Sequence, residues 1–191
     1  MAGRVRRQKF LDEGLVQALL AATDGELLAR RDRALLGLIY AGGLRVGEVA
    51  RLDIDRILWG DEGVVVLGKK WRPRFVPIAL VVLEWVADYL DDRMAGPVFL
   101  ADHGGPMSPR LIRKVVDKYA RKAASPKISP HTLRHSCASH MLVHGMYLPD
   151  LSRFLGHKRL ATTTVYLHEV PKKEGMGEQY RACHPLAGSE A

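Results

Sequence analysis

The chain has 191 residues, of which 47% are hydrophobic and 26% are charged, and both values are ordinary for a globular protein. Its formal net charge of +8 is unusual and favours a polyanionic partner, with nucleic acid first and an anionic membrane surface second. It has no apolar run near the roughly 18 residues of a spanning helix and no secretory signal. Two cysteines are too few for a disulfide framework, so we expect a reducing, cytoplasmic location.

The first part of the chain is predicted to be helical. Apolar residues recur at helical spacing over residues 11–22 and 27–41. The glycine pair Gly42 and Gly43 ends the second helix, and residues 45–52 are typical of a short third one.

A β-hairpin is predicted next. Two β-branched runs, residues 63–68 and 75–79, flank a short polar loop over residues 69–74. Pro77 places the second strand at the edge of the sheet, because proline cannot donate to a neighbouring strand.

Helical patterning returns after the hairpin. Ser108 and Pro109 are typical of a helix start, as cap and first residue. The further predicted helices are residues 79–92, 108–122, 130–144, 149–155, 160–168 and 174–183. The sequence therefore predicts a mainly α fold with a small antiparallel β-sheet (α+β). We expect one domain over residues 11–185, a basic N-terminal arm over 1–10 and a flexible tail over 186–191.

Two basic stretches are suited to binding phosphate. In GLRVGEVARL, residues 43–52, Arg45 stands at a helix start, where a guanidinium and free backbone N–H groups together suit an anion. Glu48 can hold the Arg45 side chain in place, or the two form only a surface ion pair. In GKKWRPRFVP, residues 68–77, four cations crowd a hairpin tip that is narrow enough to enter a DNA groove. The alternative is a solvated, charged sheet edge.

A histidine-rich helix follows in HTLRHSCASHMLVHG, residues 131–145. His131 with His135, and His140 with His144, have the i, i+4 spacing of helical zinc ligands. A metal site is disfavoured, because the segment has no HExxH motif and no carboxylate. Instead, His131 and Arg134 at i, i+3 place an imidazole and a guanidinium on one face.

The last reactive passage is HKRLATTTVYLHEV, residues 157–170. Taken singly, His157 is typical of a histidine at a helix end and Tyr166 of a core residue.

Taken together and in this order, the motifs resemble those of the tyrosine recombinases, the phage integrase family, with Xer-type recombinases closest. The matching stretches are GLRVGEV, LGKKWRPRFVPI, HTLRHSCASHML and LGHKRLATTTVYLH, and with the tail they extend across about residues 11–185. The resemblance implies that residues 11–185 form the catalytic domain and that the family's N-terminal core-binding domain is absent.

The resemblance also implies six catalytic residues: Arg45, Lys69, His131, Arg134, His157 and Tyr166. The arginines match the pair that holds the scissile phosphate, and the lysine matches the acid that protonates the leaving 5′ oxygen. His131 matches the proton acceptor, His157 the donor to the phosphoryl oxygens, and the tyrosine the nucleophile. In this family the lysine is often followed by glycine; here Lys70 follows it, and we keep Lys69 as the acid with Lys70 as the alternative. Further candidates for DNA contacts are Lys70, Arg72, Arg74, Arg110, Arg113, Lys114, Lys158 and Arg159.

This chemistry is consistent with the residue types. Two arginines neutralise a phosphodiester without losing their protons. Tyrosine is only about 0.1% ionised at pH 7 and needs a base or a positive field, which these residues supply. Since arginines take the electrostatic role of Mg²⁺, we expect neither metal nor other cofactor.

We therefore expect a site-specific recombinase that cleaves and rejoins double-stranded DNA through a 3′-phosphotyrosine, in integration, excision, inversion or dimer resolution. The resemblance implies a tetramer on DNA through exchange of the C-terminal tail, with an intramolecular cap as the alternative in the free protein. The alternative functions are a type IB topoisomerase and a DNA-binding module without catalysis. That all six catalytic positions are filled argues against the latter.

Overall fold

A computed structural model describes residues 10–26, 28–68, 73–123, 128–157, 180 and 182–186. Within them the helices are α1 (Glu13–Ala21), α2 (Ala29–Ala41), α3 (Val46–Val49), α4 (Leu80–Leu90), α5 (Pro109–Lys122), α6 (Pro130–Val143) and α7 (Leu148–Leu155). The strands are β1 (Ile57–Leu58), β2 (Gly63–Leu67) and β3 (Pro73–Pro77). The predicted class, mainly α with a small antiparallel sheet, is confirmed.

The helix starts follow from local capping. Asp12 accepts a hydrogen bond from the Leu15 amide at 2.7 Å and begins α1. Ser108 does the same for Leu111 at 3.2 Å, with Pro109 as the first residue of α5 as predicted. Each such cap contributes about 1 kcal/mol. The predicted helix over 160–168 lies outside the described residues, and of 174–183 only Tyr180, Ala182 and Cys183 are described, all helical.

The sheet has three strands in the order β1-β2-β3, and both pairs are antiparallel. The predicted hairpin is present, and the strand that contains Pro77 lies at the edge. Strand β1 was not predicted, because two residues are too few to show alternation. The predicted loop over 69–74 is too long by two residues, since β3 already begins at Pro73.

The core is organised around α2. Its residues Leu35, Leu36, Leu38 and Ile39 are fully buried, and the helix packs against α4 on one side and α6 on another. Burial of one such side chain stabilises the fold by roughly 1.5–3 kcal/mol. A buried α2 fixes the position of the glycine pair that follows it and therefore the start of α3. Within the described residues, no helix is both long and apolar enough to span a membrane.

The described part of the C-terminal tail packs on this same core. The Tyr180 hydroxyl accepts a hydrogen bond from the Ala79 amide at 2.7 Å and donates to the Ala41 carbonyl at 3.2 Å. The His184 ring lies between Tyr40 and Tyr180, with ring centroids 5.1 Å and 5.0 Å away. Leu186, expected at the start of the flexible tail, also packs against the core. The tail residues therefore form an intramolecular cap here.

Candidate active site

Four of the six catalytic candidates line one pocket of about 550 Å³: Arg45, His131, Arg134 and His157. The other lining residues are Leu44, Val46, Arg113, Ser129 and Pro130. The remaining two candidates, Lys69 and Tyr166, lie outside the described residues. The fold thus brings together residues that are up to 112 positions apart in the chain.

Three helix ends build the pocket. Arg45 is the residue before α3, His131 and Arg134 lie in the first turns of α6, and His157 follows α7. Gly156 ends α7 in the left-handed conformation, with φ 64° and ψ 44°, and turns the chain so that His157 reaches the pocket.

Arg134 is buried at the back of the pocket, with 6% of its surface exposed. One guanidinium nitrogen donates to the Gly43 carbonyl, and the other donates to the Leu155 carbonyl at 2.8 Å and lies 3.1 Å from Nε2 of His157. Burial, together with the nearby charge of Arg45, lowers the pKa of Arg134 to about 10. The group therefore still carries its charge at pH 7.

Gly43 makes the approach of Arg134 possible. Its φ is +51°, which glycine adopts without strain, and a Cβ atom there would lie 2.9 Å from a methyl group of Leu155. A larger residue would therefore separate α2 from the end of α7 and move the carbonyl that Arg134 binds.

Glu48 connects two arginines. Its carboxylate accepts hydrogen bonds from the Arg45 backbone amide at 2.8 Å and the Arg45 guanidinium at 2.9 Å. It also accepts two from Arg74, at 2.7 Å and 3.0 Å. Burial alone raises the pKa of Glu48, but the hydrogen bonds and charge of Arg74, followed by those of Arg45, lower it to about 2. Glu48 is therefore ionised and holds Arg45 in place, which was one of the two alternatives that the sequence left open.

The position of Arg74 corrects the sequence prediction. It lies in β3 and not in the hairpin loop, and its side chain is only 15% exposed. Arg74 faces Val66 across the sheet, while Val76, two positions along β3, faces Val64, so all four share one face. This arrangement favours a role in shaping the pocket over a direct contact with DNA. The alternation with the buried Val76 was the signal that sequence reasoning missed.

His157 is neutral in this pocket. Burial, followed by the charges of Arg134, Arg45 and Arg74, lowers its pKa to about 4. At pH 7 the imidazole therefore adds no charge to the pocket, and it can still donate one hydrogen bond.

The charges around the pocket favour an anion. Arg45, Arg74 and Arg134 carry three positive charges, and Glu48 compensates one of them. Two positive charges therefore remain uncompensated among these four residues, in a partly desolvated site where electrostatic attraction is strong. A phosphodiester, with one negative charge and two exposed oxygens, matches this arrangement.

The DNA-contact candidates on α5 lie on the molecular surface. Arg110, Arg113 and Lys114 are exposed, and Arg113 also lines the pocket. The other candidates lie outside the described residues: Lys70, Arg72, Lys158 and Arg159.

His140, near the end of α6, and His144, directly after it, contact other parts of the fold. His140 bridges the Tyr40 hydroxyl and the Leu11 carbonyl, at 2.8 Å each, and His144 contacts Glu13 at 2.6 Å. Among the described residues, no group of three or more His, Cys, Asp or Glu side chains has the arrangement to hold a metal ion. We assign these two histidines to packing and hydrogen bonding.

Comparison with known proteins agrees with this geometry. The phage integrase family model matches residues 9–173. The chain belongs to the phage integrase family. A curated relative, tyrosine recombinase XerC of Pelotomaculum thermopropionicum, is 37% identical over 196 residues, which cover 95% of this chain and 63% of the relative. This family member therefore spans less than two thirds of that relative's length.

Solved structures of similar fold include those of recombinases. The crystal structure of XerA recombinase has a TM-score of 0.76 and 25% identity, and the match covers 84% of this chain and 60% of XerA. The XerH site-specific recombinase bound to difH substrate has a TM-score of 0.74, and the match covers 84% of this chain and 51% of XerH. At 21% identity, this second likeness is one of fold.

Proposed function

We propose that this chain is the catalytic region of a site-specific DNA recombinase that cleaves and rejoins strands through a covalent tyrosine intermediate. The observation that carries the proposal is the convergence of Arg45, Arg134 and His157 on one positively charged pocket. The relatives that match most of the chain are named tyrosine recombinases, which supports the same reaction.

The proposed reaction uses groups of this chain alone. The Tyr166 oxygen attacks the phosphorus of a DNA phosphodiester, and its proton passes to His131. A 3′-phosphotyrosyl bond forms while the bond from phosphorus to the 5′ oxygen breaks, and that oxygen takes a proton from Lys69 or Lys70. Arg45, Arg134 and the neutral His157 stabilise the extra negative charge on the phosphoryl oxygens. One such donor contributes roughly 10²–10³ in rate.

The test is a covalent trapping assay. The protein is incubated with a library of nicked duplexes that carry randomised inverted repeats. After cleavage, the short fragment with the free 5′ hydroxyl dissociates, and rejoining is blocked. We expect a protein–DNA adduct on denaturing gels from the wild type and none from Tyr166→Phe. An adduct that persists in Tyr166→Phe would exclude this tyrosine as nucleophile.

The same assay separates other functions. Sequencing of the trapped DNA gives one preferred site for a recombinase, whereas adducts without sequence preference, with relaxation of supercoiled plasmid, indicate a topoisomerase. Binding without any adduct indicates a module that lacks catalysis. Separate alanine variants of Lys69 and Lys70 identify the acid, since only loss of the acid should abolish cleavage.

We further propose that the recombinase assembles as a tetramer on cytoplasmic DNA by exchanging its C-terminal tail. The buried site of Tyr180, between Ala41 and Ala79, supports this proposal, because a second copy's tail can bind there with the same hydrogen bonds. Mass photometry on trapped complexes tests it, and Tyr180→Ala should reduce assembly while leaving a monomeric adduct.

A further inference from the structure

Arg74 makes three inward hydrogen bonds that use every nitrogen of its guanidinium. Nη1 donates to Oε1 of Glu48 at 2.7 Å, and Nη2 donates to Oε2 at 3.0 Å. Nε donates to the Phe154 carbonyl at 3.2 Å. A planar guanidinium held at both ends in this way has a single orientation.

The same side chain packs against the turn that leads into His157. A Cβ atom on Gly156 would lie 3.0 Å from both Cδ and Nε of Arg74 and 3.1 Å from Cζ. The Gly156 carbonyl, in turn, accepts a hydrogen bond from Arg45 at 3.2 Å. Two arginines therefore contact the one residue that precedes His157.

These contacts join three separate elements. Arg74 belongs to β3, Glu48 to α3, and Phe154 to α7. The Arg74 side chain binds Glu48, which in turn holds Arg45. It also contacts Phe154 and Gly156 at the end of α7. In the chain, β3 also follows the segment that contains both lysines, and Arg74 links the β2–β3 pair to the pocket.

We infer that Arg74 is a positioning residue. It fixes the position of Arg45 through its contact with Glu48, and the position of His157 through its contacts with the end of α7. The inference rests on the proposed function. Without Arg74, the Glu48 carboxylate is free to rotate, and Arg45 rotates with it away from the phosphate. A displacement of about 1 Å in a catalytic group costs roughly a hundredfold in rate.

The experiment compares Arg74→Lys and Arg74→Gln with Arg153→Gln. Lysine keeps the charge beside Glu48, and therefore the fold, but it cannot contact both carboxylate oxygens and the Phe154 carbonyl together. Arg153 is a matched control. It lies in the last turn of α7 and pairs with a carboxylate, that of Asp150, but its side chain is 74% exposed.

The first measurement is the rate of adduct formation on a trapped nicked duplex at saturating DNA, alongside the Kd for the same duplex. We expect Arg74→Lys to lower the rate by roughly ten- to a hundredfold and to change the Kd by less than about threefold. Arg153→Gln should match the wild type in both. A wild-type rate in Arg74→Lys, or an equal loss in Arg153→Gln, would overturn the inference.

The second measurement does not need cleavage. In the wild type, hydrogen bonds to Glu48 should slow rotation of the Arg45 guanidinium, so that its Nη–Hη signals are resolved by ¹⁵N NMR. In Arg74→Lys and in a folded Arg74→Gln these signals should average, whereas Arg153→Gln should keep them. Averaged signals in the Arg74 variants support the inference even if no protein yields an adduct. The absence of any adduct counts against the proposed function alone. Unchanged Arg45 signals in both Arg74 variants would disprove the inference.

Discussion

Nη2 of Arg134 lies 3.1 Å from Nε2 of His157, and this contact determines which nitrogen of the imidazole carries the proton. A guanidinium only donates, so Nε2 must accept, and the proton of the neutral ring lies on Nδ1. In the proposed reaction, His157 would therefore donate through Nδ1, oriented by Arg134, the arginine proposed to bind phosphate.

This relationship predicts how stability depends on pH. The pKa of His157 is lowered to about 4 in the folded protein, against about 6.5 for an unfolded histidine. Because the folded state binds a proton at His157 more weakly than the unfolded state does, the contribution of His157 to stability is fully present above about pH 6.5. That contribution is lost as the pH falls from about 6.5 toward 4. The expected contribution of His157 is a loss of about 1–2 kcal/mol between pH 7 and pH 5.

His157→Gln isolates that contribution, because glutamine keeps an acceptor for Arg134 without a titrating ring. Urea unfolding at pH 7 and pH 5 should show a smaller loss in this variant than in the wild type. Equal losses would show that His157 titrates normally. His184, whose pKa is lowered to about 3 mainly by burial, contributes equally to both proteins and cancels in the comparison.

Glu48→Gln should destabilise the fold strongly. Removal of the carboxylate leaves Arg45 and Arg74 without their shared acceptor charge, and breaking a buried ion pair costs about 3–5 kcal/mol. Because the pKa of Glu48 is lowered to about 2, its stabilisation is present above pH 4.5 and lost as the pH falls toward 2.

Chemical denaturation at pH 7 measures the effect, with Glu13→Gln as the control. Glu13 pairs with His144 at the surface, where both side chains are 41% exposed, and its loss should cost less than about 1 kcal/mol. Similar losses in the free energy of unfolding in the two variants would mean that the ion pairs of Glu48 with Arg45 and Arg74 do not stabilise the fold more than a surface pair does.

Gly156→Ala should reduce both stability and cleavage. The left-handed conformation costs alanine about 1–2 kcal/mol, and the new Cβ would lie 3.0 Å from Arg74. Gly145→Ala is a matched control, since Gly145 has φ +95° but a Cβ there would meet no described atom within 4 Å. Thermal unfolding should show a greater loss of stability in Gly156→Ala than in Gly145→Ala. In the adduct assay, only Gly156→Ala should show reduced cleavage.

Arg113→Gln should weaken DNA binding without regard to sequence. Arg113 is an exposed cation at the pocket rim, and loss of one phosphate contact lowers the slope of log Kd against log salt by about 1. Fluorescence anisotropy across a salt series measures the slope. Arg121→Gln is the control, because Arg121 lies at the far end of α5 and pairs with Asp117 at 2.9 Å; an equal change there would indicate a general effect of charge.

Local sequence patterns predicted most of the secondary structure. Caps such as Ser108 and apolar periodicity act over a few residues, so the helices are found within one to three residues of their predicted bounds. The order and spacing of the motifs predicted the family, and with it four residues that line the pocket: Arg45, His131, Arg134 and His157. Patterns with too few residues failed, as at the two-residue strand β1.

The sequence alone determined most of the elements, the family and the identity of the catalytic candidates. The tertiary structure decided how they are held: that Glu48 binds both Arg45 and Arg74, that Arg134 sets the tautomer of His157, and that Tyr180 caps its own core. The contact between Arg74 and Glu48 joins residues 26 positions apart, and that between Arg45 and Gly156 joins residues 111 positions apart. Such pairings depend on how helices and strands pack, and local periodicity contains no information about which distant side chains will meet.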